Sequence, residues 1–233
     1  MKTQILYEDN DIIVCYKPAG IAVQTAGIAQ QDMVSELKNY LAGGSAHNKQ
    51  AGGKEPYVAV VHRLDQPVSG VLVFAKNKAA AASLSAQVQD GRAEKIYRAM
   101  VCGTFEESKE GVLEDILYKD VKSNTSRVVQ PGSKKAGLGK TAKLAYKVMQ
   151  ELSLEGQSYS ELEIKLYTGR HHQIRVQLSH AGHPILGDTK YGSEASKALS
   201  AQIGKGLKLC AHRLTLIHPK TGEKMTFTAP QVF

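Results

Sequence analysis

The sequence predicts an α+β protein built on a mixed, largely antiparallel β-sheet with helices packed on the sheet. Short apolar or alternating runs, which are typical of strands, recur along most of the 233 residues. Helical periodicity is confined to three segments, and these do not alternate regularly with the strands, which excludes a regular βαβ arrangement. The length suits one domain, and we expect residues 1–233 to form a single domain with no separate accessory domain.

Nine segments have the apolar content and the turn-bounded length of strands. In chain order they are Ile12–Tyr16, Tyr57–Val61, Val71–Ala75, Ile96–Val101, Ser126–Gln130, Ala142–Gln150, Ser160–Tyr167, Leu207–Leu216 and Met225–Thr228.

Two of the predicted helices have clear start or stop signals. Met33–Leu41 repeats apolar residues every four positions and is followed by glycines. Lys78–Asp90 has Asn77 as its candidate N-cap and Gly91 as its terminator. Three stretches rich in Gly, Ser and Lys are predicted to be surface loops, and they are residues 42–54, 131–140 and 192–206.

The third predicted helix carries a basic side chain beside an apolar stripe. The stripe repeats at helical spacing in Ile174, Leu178 and Ala181. Thr168 is the candidate N-cap, and Gly182 ends the segment. Arg175 shares a face with His171, four residues earlier, so it can point into a cleft while the stripe anchors the helix.

Composition and charge favour a polyanionic partner in a reducing compartment. The chain has 30 Lys plus Arg against 22 Asp plus Glu, a net charge of +8, as nucleic-acid-binding proteins often do. The three cysteines are widely separated and are predicted to be free thiols. No signal peptide is visible and no run approaches the ~20 apolar residues of a membrane span. We expect a cytoplasmic location.

The segment from His62 to Asp65 places an imidazole, a guanidinium and a carboxylate between two apolar runs. A carboxylate near buried strands must find hydrogen bonds or a cation. Asp65 is therefore the first candidate for chemistry. The alternative from this segment alone is a structural ion pair between Asp65 and Arg63 at the end of a strand.

Two further segments add candidates. A predicted strand follows Glu94. Its residues Lys95, Tyr97 and Ala99 lie on one face because strand side chains alternate. Tyr97 is one of few aromatic residues able to meet a nucleic-acid base, since the chain has no Trp and only four Phe. The third helix contributes Arg175.

Together these segments resemble the RluA-type family of pseudouridine synthases. The resemblance rests on five blocks in the family's order, which cover nearly the whole chain. They are Ile5–Asp9 with Lys17–Gly20, His62–Asp65 with Ser69–Gly70, Lys95–Ala99, Gly169–Arg175 with Gly182–Ile185 and Gly187–Gly192, and Ala211–Leu214 with His218–Pro219 and Ala229–Pro230.

The resemblance implies a catalytic domain of pseudouridine synthase type with a central RNA-binding cleft. It implies that uridine in RNA is converted to pseudouridine, which makes the protein an isomerase. Asp65 would be the essential carboxylate, as nucleophile or as base, Tyr97 would stack on the uracil, and Arg175 would supply the opposing charge. Arg63 would enter the RNA stack at the position that the target uridine leaves. His62 would also contact the RNA. Leu209 would form the apolar floor.

No cofactor or metal is expected. The reaction is an isomerisation, and Gly139-Lys140-Thr141 lacks the first glycine of a P-loop, which argues against a nucleotide site. A metal centre at the histidines between positions 171 and 183 lacks a cysteine and an H-E-x-x-H motif. The expected partner is RNA, as a tRNA or rRNA stem-loop, without a membrane, and the chain is expected to act as a monomer. Its phosphate contacts would include Arg63 and Lys76.

Two positions depart from the commoner family pattern. Gln66-Pro67-Val68 replaces the usual basic, acidic and threonine residues after the catalytic aspartate, and His171 stands where threonine is usual. Both departures bear on substrate preference. Two other functions stay open from the residues alone: a catalytically inert RNA-binding protein with the same fold, and a metal-dependent hydrolase that uses the histidines.

Overall fold

The computed structural model describes residues 3–25, 31–43, 55–130, 132–133 and 135–233. Its strands are β1 (Gln4–Glu8), β2 (Ile12–Lys17), β3 (Ala59–Val60), β4 (Ser69–Ala75), β5 (Glu94–Cys102), β6 (Glu110–Asp120), β7 (Thr125–Val128), β8 (Lys140–Leu154), β9 (Gln157–Leu166), β10 (Leu209–Ile217) and β11 (Lys224–Thr228). Its α-helices are α1 (Met33–Ala42), α2 (Lys78–Gln89), α3 (Gln173–His180) and α4 (Glu194–Ile203), and a short 3-10 helix covers Ala136–Leu138.

The chain divides into two compact units. One comprises residues 1–95 with 211–232, and the other comprises residues 96–210 with 233. The described strand pairings within each unit are antiparallel, as the alternating sequence pattern predicts. The expectation of a single domain over 1–233 stays a prediction.

In the first unit, β2 is the central strand and all six of its residues are buried. It pairs with β1 on one side and with β4 on the other, so that Lys17 lies opposite Gly70. The two helices begin where the sequence predicts, because the side chain of Asn77 accepts a hydrogen bond from Ala80 N and Asp32 caps α1 in the same way at Ser35 N. This framework carries the loop from Val61 to Val68.

In the second unit, the strand order is β5-β9-β8-β6-β7. Tyr97 in β5 lies opposite Ile164 in β9. The segment after α3 runs along β5, since Pro184 O accepts from Cys102 N at 3.0 Å and Leu186 N donates to Met100 O at 2.9 Å. The strand that carries Tyr97 therefore also fixes the start of the segment from 184 to 192.

Helix α3 packs its apolar side on the far end of this sheet. Val176 packs with Leu117 and Ala142 in a buried cluster. Gln177 is fully buried and donates to a carboxylate oxygen of Asp115 in β6 at 2.7 Å. These contacts fix the orientation of α3, the helix that carries Arg175, relative to the sheet.

Several element predictions were wrong. The predicted loop 192–206 contains α4, whose Ala195, Leu199 and Ile203 repeat at helical spacing between flanking glycines. Strands β1 and β6 were not predicted, and most of the predicted loop 42–54 lies outside the described residues.

The predicted cap of the third helix was also wrong. α3 begins at Gln173, and its N-cap is His172 in the left-handed region at φ 55°. Thr168 instead donates to the side chain of Gln173 at 2.7 Å and accepts from Lys143 N at 2.8 Å. His171 therefore precedes the helix and does not share a helical face with Arg175.

We expect Gly70→Ala to destabilise the protein strongly. Gly70 has φ +129°, and a Cβ atom there would lie 2.6 Å from the Cβ of Ala211 in β10. Overpacking and backbone strain together should cost about 2–4 kcal/mol, a fall in Tm of roughly 5–10 °C.

Differential scanning calorimetry checks this result, with Gly137→Ala as the control because a Cβ there meets nothing within 4 Å. An unchanged Tm for Gly70→Ala would contradict the close packing of Gly70 against Ala211. The same scans test the single-domain prediction, which requires one cooperative transition.

Candidate active site

Asp65 lies in the loop that joins β3 to β4 in the first unit, and it is partly buried. Its main-chain carbonyl accepts from Val68 N at 3.0 Å, which closes a tight turn directly after the carboxylate. Leu64 and Val68 on either side are buried, while Gln66 and Pro67 are exposed. The loop is therefore anchored at its apolar residues and presents Asp65 between them.

Arg63 and His62 lie in the same loop and differ in character. Arg63 is exposed, and its guanidinium donates to the side chain of Gln24 at 3.3 Å. His62 is half-buried, with its Nε2 3.5 Å from Val73 N. Burial, together with the positive charge of Lys95, lowers the pKa of His62 to about 3. His62 is therefore neutral at pH 7.

Tyr97 and Leu209 belong to the second unit. The side chain of Tyr97 is 7% exposed on β5, and Leu209 is 3% exposed at the first position of β10. The main chain ties the region together, because Lys208 O accepts from Met100 N at 3.0 Å and Lys208 N donates to Leu186 O at 2.9 Å. The residue directly before Leu209 is therefore bonded to β5, the strand that carries Tyr97.

Arg175 has a carboxylate partner that the sequence did not predict. Its Nε donates to one oxygen of Asp188 and its Nη2 to the other, both at 2.7 Å. Arg175 is 3% exposed and Asp188 is 2% exposed. Such a bidentate pair fixes both the position and the plane of the guanidinium.

Main-chain groups and an aromatic ring complete the surroundings of this pair. Oδ1 of Asp188 accepts from Lys190 N at 2.9 Å and from Tyr191 N at 3.1 Å. Burial by itself raises the pKa of Asp188, but the hydrogen bonds and charge of Arg175 and these two N–H groups outweigh it, and the pKa is lowered. The guanidinium carbon of Arg175 lies 5.1 Å from the centre of the Tyr191 ring.

Two histidines link Tyr191 to strand β7. The hydroxyl of Tyr191 lies 2.7 Å from Nδ1 of His172 and accepts from Ser126 N at 2.8 Å. The ring of His172 stacks on that of His171 at 3.7 Å, and Nδ1 of His171 lies 2.9 Å from the hydroxyl of Ser126. The histidine column, His171 with His172, is therefore bonded to side chains on both sides.

The candidate residues divide between the two units. His62, Arg63 and Asp65 belong to the first unit, and Tyr97, Arg175 and Leu209 belong to the second. Sequence reasoning missed Asp188 and Tyr191 as partners of Arg175. The Gly187-Asp188 and Tyr191-Gly192 pairs were visible in the resemblance, and a buried arginine without a local carboxylate was the signal that could have directed attention to Asp188.

Lys76 was expected to contact phosphate, and the structure contradicts this. Lys76 is 6% exposed and its ammonium lies 2.7 Å from a carboxylate oxygen of Glu8. A buried, paired lysine stabilises the fold and is not a surface cation.

Among the described residues, one group of side chains has a spacing suitable for a metal ion: Asp9, Asp11 and His218. Its atoms are engaged in hydrogen bonds. Nδ1 of His218 accepts from Thr221 N at 3.1 Å, so its Nε2 carries the proton and donates to Asp9 at 2.7 Å. This arrangement stabilises the turn between β1 and β2.

A comparison with known families identifies the family of the chain. Residues 11–180 match the family described as RNA pseudouridylate synthase, and this range contains Asp65, Tyr97 and Arg175. The chain belongs to the RNA pseudouridylate synthase family. The predicted class of enzyme, an isomerase that forms pseudouridine in RNA, is confirmed by this membership.

Curated relatives agree over nearly the whole chain. An uncharacterized RNA pseudouridine synthase, YhcT, of Bacillus subtilis (strain 168) is 37% identical over 97% of this chain and 68% of its own length. Ribosomal large subunit pseudouridine synthase D of Pasteurella multocida (strain Pm70) is 32% identical over 97% of this chain and 66% of its own length. The chain thus spans about two thirds of the length of these relatives.

Solved structures confirm the predicted fold class. Human RNA Pseudouridylate Synthase Domain Containing 1 aligns with a TM-score of 0.74, at 23% identity, over 98% of this chain and 83% of the human chain. The human Domain Containing 4 protein gives 0.73 at 24% identity, over 97% of this chain and 87% of its own. In the described part of this chain, no helix is both long and apolar enough to cross a membrane.

We expect Asp188→Asn to lose both stability and catalytic rate. The change leaves Arg175 buried opposite a neutral amide, and breaking a buried pair costs about 3–5 kcal/mol. A displaced guanidinium should lower kcat on the order of 100-fold. Urea denaturation and single-turnover assays measure the two effects. Asp90→Asn is the control, because its exposed pair with Arg92 should contribute little.

The pH dependence of the stability difference supplies a further check. Since the folded pKa of Asp188 lies below its unfolded value, its contribution is complete above about pH 4. The contribution disappears as the pH falls through the lowered value. A stability difference between wild type and Asp188→Asn that persists unchanged in acid would rule out the carboxylate as its source.

Proposed function

We propose that this chain converts uridine to pseudouridine in a structured RNA with Asp65 as the essential carboxylate. The match of residues 11–180 to the family carries the proposal. The N1–C1′ bond breaks, the uracil turns, C5 bonds to C1′, and the proton of C5 is replaced by one on N1. The product is an isomer, so no cofactor is consumed, and Asp65 acts as nucleophile or as base.

The other candidate residues are assigned to steps that their surroundings support. Tyr97, nearly buried on β5, stacks on the target uracil and passes on the C5 proton. Arg175, rigidly paired with Asp188, supplies positive charge to the catalytic carboxylate, and Leu209 contributes the apolar floor.

Arg63 is the candidate for entry into the RNA stack. It is exposed, and its planar guanidinium can both stack on bases and bind phosphate. His62 contributes hydrogen bonds as a neutral ring. We further propose that the chain acts as a single catalytic domain, as a monomer and in the cytoplasm, with the RNA in a central cleft.

The substrate class follows from the relatives. Several are named ribosomal large subunit pseudouridine synthases. We therefore propose a large-subunit rRNA stem-loop as the first RNA to test, with a tRNA stem-loop as the second.

We expect Asp65→Asn to abolish pseudouridine formation while RNA affinity stays within about tenfold, roughly 1.4 kcal/mol. The carboxylate is required for the chemistry, as nucleophile or as base, whereas affinity depends mostly on phosphate contacts. Single-turnover tritium release and filter binding, both with a chelator present, measure the two quantities. Asp90→Asn is the matched carboxylate control. Near wild-type pseudouridine formation by Asp65→Asn would overturn the assignment.

We expect a short stem-loop with the target uridine in its loop to be a better substrate than a continuous duplex of the same sequence. Extracting a uridine from a duplex costs a few kcal/mol more, since stacking and pairing must be broken. Rates are compared below saturation, and equal rates would show that loop accessibility does not select the substrate.

The salt dependence of binding tests Arg63 separately. Each lost phosphate contact lowers the log–log slope by about 0.7 on single strands. Arg63→Gln should lower it by that amount, and Lys76→Met, a buried and paired lysine, should leave it unchanged.

A further inference from the structure

Lys17, at the end of β2, is the largest fully buried side chain among the described residues. No carboxylate of these residues lies within ion-pair distance of its ammonium. The ammonium donates instead to three main-chain carbonyls, those of Pro18 at 3.1 Å, Ile21 at 2.7 Å and Gln66 at 3.0 Å. A buried cation is costly even with such partners, so its retention calls for an explanation.

The three carbonyls come from two loops, and further bonds join the same loops. Gly20 N donates to Gln66 O at 2.8 Å, and the side-chain amide of Gln66 donates back to Gly20 O at 3.0 Å. We call Lys17, Gly20 and Gln66 the clamp. It attaches to the loop from Val61 to Val68 at Gln66, the residue directly after Asp65.

Packing does not hold Gln66 in place. Its side chain is exposed and borders a cavity of about 230 Å³ that Gly20 and Ile21 also line. The side chain has space to move, so its orientation depends on the bond to Gly20. Gln66 is also one of the positions at which this chain departs from the usual family residue.

The charge of Lys17 also reaches Asp65. Burial lowers the pKa of Lys17 to about 8, and the negative charge of Asp65 acts in the opposite direction. Among the described residues, Asp65 is the one charged group that shifts the pKa of Lys17. The other groups around Lys17 are uncharged: Gly70 lies opposite it in β4, and the two loops contribute carbonyl groups. The clamp therefore acts on Asp65 in two ways. Its hydrogen bonds hold Gln66, the next residue in the chain, and the charges of Lys17 and Asp65 interact.

We propose that Lys17 and Gln66 are positioning residues that hold the main chain of Asp65 in its catalytic geometry. The inference rests on the proposed function, in which Asp65 reacts. Neither residue touches the RNA in this role. Their effect reaches the reaction through the carbonyl and side-chain bonds that fix the loop next to Asp65.

The first test removes the donor of Gln66. We expect Gln66→Leu to lower kcat about tenfold with KM little changed, because a small misplacement of a reacting group costs rate and not binding. Gln66→Lys keeps a donor and should recover most of the loss. Gln130→Leu, another exposed glutamine, is the control. Wild-type kcat in Gln66→Leu, or a loss of rate that only follows a fall in Tm, would overturn the proposal.

The second test titrates Lys17. A neutral amine has two N–H groups for three carbonyls, so the single-turnover rate should fall as the pH rises through about 8. Lys17→Arg, if folded by its Tm, stays protonated and should lose this alkaline limb. Lys76→Met, which removes a buried lysine paired with Glu8, should retain it. Identical pH profiles for wild type and a folded Lys17→Arg variant would contradict the proposal.

Stability should move in the other direction from rate. Since the folded pKa of Lys17 lies below the ~10.4 of an unfolded lysine, the cost of its buried charge is present below about pH 8 and disappears at higher pH. The Tm of wild type relative to Lys17→Arg should therefore rise while its rate falls. A parallel fall of both would indicate a purely structural role and would count against positioning.

A third measurement needs no activity. Gly20 N and Val68 N are bonded to Gln66 O and Asp65 O, so their amide hydrogen exchange should be about tenfold faster in Gln66→Leu if the clamp holds the loop. Unchanged exchange would overturn the clamp. A wild type with no activity on any RNA, but with this change in exchange, would instead overturn the proposed function.

Discussion

The buried ion pair of Arg175 with Asp188 determines much of the second unit. Two charges removed from water are stable only with a close partner and with their remaining hydrogen-bonding atoms satisfied. The segment that carries Asp188 must therefore be held in one position relative to Arg175. Main-chain bonds to β5 hold its beginning, and Gly187 allows it to turn at φ +76° against the main chain of Gly206, where any Cβ would collide.

Two buried lysines of the first unit have different kinds of hydrogen-bond partner. Lys76 is neutralised by the carboxylate of Glu8, whereas Lys17 is surrounded by carbonyl dipoles. Carbonyl groups satisfy the hydrogen bonds of an ammonium without cancelling its charge. The positive charge of Lys17 is therefore not cancelled, and it still interacts with Asp65. A carboxylate partner would have cancelled this charge.

The sequence predicted those parts of the fold and site that depend on local pattern. Alternation located most strands, and the apolar stripe of α3 located Arg175. The partner of Arg175 could not be read in this way, because Asp188 lies 13 residues away beyond a turn, and only the folded path of residues 184–188 along β5 brings the two together. The left-handed His172 was also invisible, since that conformation is unusual for a residue other than glycine. In α4, the flanking glycines concealed a helical repeat.

The departure at His171 acquires a physical meaning from these contacts. A threonine, the usual residue in the family that this chain resembles, has no ring to stack. His171 instead stacks on His172 and bonds to Ser126 in β7. His172 is bonded to Tyr191, whose ring lies beside the guanidinium of Arg175. The histidine therefore adds a series of contacts from the edge strand β7 to Arg175 of the ion pair. A change at His171 would therefore reach the position of Arg175 through His172 and Tyr191.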